Sequence, residues 1–81
     1  MKLPRDISGE FLTHKLKKLG YTKTRQSGSH IRLTTSQNGI HNITIPNHSP
    51  IKVGTISGIL QDVATHFKVS KEDIMEQLFN S

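Results

Sequence analysis

Apolar residues recur along this chain at two different periods, and the switches between them outline the elements. Leu12, Leu16 and Leu19 keep helical spacing beside Phe11, with Ser8 placed to cap the helix and Gly20 placed to stop it. Tyr21 to Gln26, rich in Thr and Tyr, predicts a first strand whose inward side is poor in apolar residues. Ser27-Gly28 predicts a turn and residues 29–35 a second strand. In His30-Ile31-Arg32-Leu33-Thr34 polar and apolar side chains alternate, so Ile31 and Leu33 face a core while His30, Arg32 and Thr34 share the opposite face. Asn38-Gly39 is a hairpin signal, and residues 40–45 predict a third strand with Ile43 and Ile45 inward. Pro46 ends that strand because it has no N–H to give to a ladder. A loop follows from Pro46 to Pro50, and Thr55 is expected to open a second helix. Ile56, Ile59, Leu60, Val63 and Phe67 form its apolar stripe. Ser70-Lys71-Glu72-Asp73 resembles a capping box and starts a short last helix carrying Ile74 and Leu78.

The order α-β-β-β-α with a short C-terminal helix predicts an α+β fold. A three-stranded antiparallel sheet carries the helices on one face and leaves the other open. Double-stranded RNA-binding domains have the same order, and they read shape, phosphates and 2′-hydroxyls. Residues 1–81 are expected to form one domain, since the chain is near the low end for independent folding.

Charge changes the picture more than composition does. The net +5 is uneven: residues 1–35 carry +6 and residues 36–81 carry −1. A basic half suits a polyanion such as nucleic acid, or is simply a solvated face. The chain has no cysteine, which excludes disulfides and thiolate metal sites. No stretch reads as a signal peptide or a membrane span, so a cytoplasmic protein is expected. Aromatic residues are too few for a base-stacking platform, so little sequence readout is expected.

Gly28-Ser29-His30 is the best candidate for chemistry. It puts an imidazole on a rigid strand beside a flexible turn with basic neighbours. RNA supplies its own nucleophile, the 2′-hydroxyl. A protein need only move that proton, steady the phosphate and protonate the leaving 5′-oxygen. Imidazole suits both proton steps because it ordinarily titrates near neutral pH. Arg32, Arg25 and Lys23 are candidate cations for the phosphate, and Gly28 and Ser29 could bring backbone N–H groups to it. His48, between Pro46 and Pro50, is either a second acid–base or phosphate-binding group or a loop histidine bonded to backbone. Lys52, Gly54 and Thr55 lie where helix amides favour an anion, though ordinary capping accounts for them. His14 and His66 are expected on the surface, and His41 at a sheet end. A zinc site from His30, His41 and His48 fits no standard spacing. No metal or other cofactor is expected.

Six segments together resemble the HicA (YcfA-like) toxins of bacterial toxin–antitoxin pairs. They are Lys2-Leu3-Pro4-Arg5, Leu16 to Tyr21, Arg25 to His30, Ile45 to His48, Lys52 to Thr55, and Ile59-Leu60. Each is short, but they run in order over nearly the whole chain. The resemblance implies a fold similar to a double-stranded RNA-binding domain and an mRNA-cleaving activity. It also implies a HicB antitoxin partner that covers the His30 face, and it puts the family's catalytic histidine on His30. Two other readings use the same features: a non-catalytic RNA-binding module, and a protein-interaction subunit with a degenerate site.

Overall fold

The computed structural model describes residues 6–80, so the Lys2–Arg5 segment of the family resemblance lies outside the described residues. The elements run α1 (Gly9–Leu16), a 3-10 turn (Lys17–Leu19), β1 (Thr22–Ser27), β2 (His30–Thr35), β3 (His41–Pro46), α2 (Val53–Phe67) and α3 (Lys71–Phe79). The sheet is antiparallel in the order β1-β2-β3, giving the α+β layout expected from the periodicity.

Local chemistry explains most boundaries. Ser8 Oγ accepts the Phe11 N–H at 3.0 Å and caps α1. Gly20 takes a left-handed conformation (φ 84°) that ends the helical run. Ser70 Oγ accepts the Asp73 N–H at 3.0 Å and starts α3. Helix α2 begins at Val53, two residues before Thr55, with Lys52 in extended conformation as its cap. Its entry is fixed upstream of Thr55 by Ile51, which is buried and whose N–H bonds the Ile7 carbonyl at 2.8 Å. The first hairpin turn is Gly28-Ser29 rather than Ser27-Gly28. Ser27 pairs with His30, and Gly28 (φ 56°) fills a turn position that favours glycine. The Asn38-Gly39 pair supplies the two positive-φ residues of the loop 36–40 that joins β2 to β3.

The core lies between the sheet and the helices. Ile31 and Leu33 of β2 and Ile43 and Ile45 of β3 meet Leu12 and Leu16 of α1 and Ile56, Leu60 and Val63 of α2. Ile74, Met75 and Leu78 close it from α3. Phe11, expected on the apolar stripe, is 43% exposed and carries Lys15 Nζ 5.4 Å from its ring centroid. Strand β1 is exposed at every residue. Its hydrophobic anchor, Tyr21, precedes it and is fully buried, while the strand is tied to the sheet by its ladder with β2.

Candidate nucleic-acid interface

The open face of the sheet is built from rows that cross the strands. At one end Ser27, His30 and Pro46 are paired in register, and next to them Arg25, Arg32 and Thr44. Arg25, Ser27, His30, Arg32 and Thr44 line a shallow depression there. The imidazole rests on a firm element. His30 is paired on both sides, and the following residue, Ile31, is 2% exposed in the core. The ring itself is exposed, beside a turn where a Cβ on Gly28 would meet no atom within 4 Å. No carboxylate belongs to the rows of this face, so no described residue in them neutralises the two guanidinium groups.

A β-bulge decides which cations join His30. Lys23 pairs with Leu33 and Arg25 with Arg32, which leaves Thr24 without a partner of its own. In an unbroken strand residues 23 and 25 would share a face. The bulge parts them. Arg25 joins the His30 depression, whereas Lys23 lies on the helix side, its Nζ 3.1 Å from Gln26 Oε1 in a cleft lined also by Glu10, His14 and Lys17. The sequence grouped Lys23 with His30; the structure does not. His14 is exposed in that cleft.

The loop carrying His48 is laid against the hairpin turn. The Asn47 N–H bonds the Ser29 carbonyl at 2.6 Å, and the His48 carbonyl accepts the Gly9 N–H at 3.0 Å. The His48 side chain is exposed and does not line the depression. Ser27 and Thr44 were missed in the sequence. The outward parity of Thr44 follows from Ile43 and Ile45, but its pairing with Arg32 does not: a two-residue turn at Asn38-Gly39 would set Ile45 opposite Arg32, and the five-residue loop 36–40 shifts the register by one.

The other histidines gather elsewhere. His41 pairs with Thr35, at the end of β2 remote from His30, so β2 itself separates His41 from His30. Its Nδ1 lies 2.7 Å from the Tyr21 hydroxyl, and its ring stacks on His66 at 4.3 Å between centroids. His66 was expected on the surface. It is half-buried, with Nε2 2.9 Å from the Gln37 carbonyl, and its own carbonyl accepts from Asn38 Nδ2 at 2.9 Å. These bonds clamp the loop 36–40 to the end of α2. Burial lowers the pKa of His41, as does neighbouring His66, against a smaller opposing pull from Asp62. Burial, with Asp62, pushes Tyr21 up to about 12.

The fold and this face together define a small α+β protein that presents a histidine beside two guanidinium groups on an open sheet. The family model of the HicA toxin of bacterial toxin–antitoxin matches residues 11–64, two thirds of the chain and every strand. The chain belongs to the HicA toxin family and is a toxin of a toxin–antitoxin system, which implies an antitoxin partner. No curated protein and no solved structure matches it. Among the described residues, no helix is long and apolar enough to cross a membrane.

Proposed function

We propose that this chain is an mRNA-cleaving endoribonuclease that uses His30 and the RNA's own 2′-hydroxyl, with no metal in the step. The 2′-oxygen attacks phosphorus, the bond to the 5′-oxygen breaks, and a 2′,3′-cyclic phosphate forms. The 2′-hydroxyl gives up one proton and the departing 5′-oxygen gains one. His30 serves one of these transfers as general base or acid, a role worth roughly 10²–10⁴-fold. Arg32 and Arg25 bear on the phosphate, and the open Gly28-Ser29 turn lets it approach the backbone. The observation that carries the reading is the placement of an exposed imidazole and two unneutralised guanidiniums in one depression, in a chain of this family. A HicB-type antitoxin with an acidic surface over Arg25 and Arg32 would silence the toxin by covering His30.

The test is incubation of the protein with a long RNA in chelator, alongside His30→Ala. Cleavage by the parent alone, leaving 2′,3′-cyclic phosphate ends, is expected. Equal cleavage by both proteins would remove His30 from the reaction. Binding without cleavage by either would leave a non-catalytic RNA-binding module.

A further inference from the structure

Beyond the His30 depression the open face continues as an uncharged polar row made by all three strands. Thr24 Oγ1 lies 3.2 Å from Thr34 Oγ1, and Thr34 Oγ1 donates to Asn42 Oδ1 at 2.6 Å. This chain of bonds uses the amide oxygen of Asn42 and thereby orients the amide. Its Nδ2 carries two donors, is displayed on an exposed residue, and has no bond to any described residue. The row is continuous with the depression, because Thr34 follows Arg32 by two residues on the same face of β2.

The geometry points to this row as a second binding subsite, one that holds the ribose edge of a single-stranded RNA through its 2′-hydroxyl, beside the bond presented to His30. The inference rests on the ribonuclease reading for its direction along the strand but not for binding itself. Three observations choose the occupant. The face has guanidiniums at one end and no carboxylate in its rows, which is complementary to a polyanion. Its rows hold no large apolar anchor of the kind that centres protein interfaces: Phe11 and Val53 lie on helices, Val69 lies between α2 and α3, and the exposed Ile40 lies in the loop just before β3, outside the paired rows. Its hydroxyls and amide match a 2′-hydroxyl, which both donates and accepts. A single strand is favoured over a duplex because the row and the depression are both built from paired strands, with no helix among their residues to enter a groove. With no aromatic side chain in its rows, the subsite holds the backbone and tolerates any base.

The experiment measures binding of His30→Ala protein to an RNA single strand, the DNA strand of the same sequence, and an RNA duplex. Each is repeated with Asn42→Ala, with Thr34→Val and with the exposed helix-side control Gln61→Glu. Asn42→Ala and Thr34→Val should each weaken single-stranded RNA by about fivefold, the worth of one hydrogen bond, and leave DNA unchanged. Gln61→Glu should change neither. Asn42→Glu, which sets a carboxylate on the face, should weaken the RNA further. Unchanged RNA affinity in Asn42→Ala and Thr34→Val would overturn the subsite even where the parent still cleaves RNA. Loss of cleavage in the parent with the RNA-selective effect intact would overturn the ribonuclease reading and keep the subsite. Preferential binding of duplex, or a loss confined to antitoxin binding, would assign the row to another occupant.

Discussion

Two glycines in helices give opposite expectations for the same substitution. Gly58 lies inside α2, where an added Cβ meets no atom within 4 Å. Gly58→Ala should therefore stabilise the protein by about 1 kcal/mol, the difference in helix propensity. Gly9 is the first residue of α1, and a Cβ there would sit 2.5 Å from the Pro46 carbonyl oxygen and 3.0 Å from Asn47 Cα. Both neighbours are backbone, and they are held: Pro46 pairs with His30 and the Asn47 N–H bonds Ser29. Relief must come from moving the strand end and loop that border the His30 turn. Overpacking of this kind costs about 1–3 kcal/mol, more than a first-turn propensity gain returns. A net loss of 1 kcal/mol corresponds to a Tm drop of about 4–8 °C in a domain of this size. Urea unfolding followed by far-ultraviolet circular dichroism measures both variants, and RNA cleavage by the folded proteins reports on the turn. Gly9→Ala should be less stable than the parent and slower, while Gly58→Ala should be more stable and unchanged in rate. Equal stabilisation by the two substitutions would refute the close packing of α1 against the loop.

Tyr21 is the sole tyrosine of the chain, so phenolate absorbance follows it alone. The folded protein keeps the Tyr21 proton up to about pH 12, against about 10 in the unfolded chain, so stability is complete below pH 10 and falls by about 2–3 kcal/mol towards pH 12. Ionisation near pH 10 with circular dichroism unchanged would contradict this. His41 has the reverse sign. Its lowered pKa means that the unfolded chain binds the proton first, so stability falls as pH drops below about 6.5, and the urea midpoint of His41→Gln should fall less between pH 7 and 5. Arg25→Gln and Lys23→Gln remove the same charge from opposite faces of β1. The first should slow single-turnover cleavage about tenfold to a hundredfold and the second less than about twofold, and equal losses would reduce the bulge argument to net charge.

The face of His30 was legible because β2 alternates strictly: one buried pair, Ile31 and Leu33, fixes the parity of every residue between Thr35 and His30. The Asn38-Gly39 pair then announces the third strand but not its register, which the five-residue loop 36–40 shifts by one from that of a two-residue turn. The first strand was not legible to the same depth. It buries none of its residues, so no apolar pattern marks its two faces, and the unpaired Thr24 reverses the parity that counting would assign. Nothing in the sequence of β1 therefore sets Lys23 apart from Arg25 as a cation near His30. The start of α2 was missed because its first turn, Val53-Gly54-Thr55, is exposed and has no side-chain cap, so neither burial nor capping chemistry announces it. The stacking of His41 on His66 joins residues 25 positions apart and left no local trace.

The unequal support of the two strands suits the proposed division of labour at the site. Proton transfer needs donor and acceptor within about 2.6–3.2 Å and falls off sharply outside that range. His30 has the firm seat such a step requires, on the central strand, with a pairing partner on each side and a buried neighbour. Coulomb attraction between a guanidinium and a phosphate falls only as the inverse of distance, so displacement of an ångström changes it little. In the proposed reaction Arg25 would make a contact of that tolerant kind from the exposed edge strand, beside a residue without a ladder partner. A site assembled this way loses more from a small shift of β2 than from the same shift of β1. On the proposed mechanism the Pro46–Asn47 backbone, which pairs with His30 and bonds Ser29 next to it, would therefore bear on the chemistry without contributing a side chain to the depression.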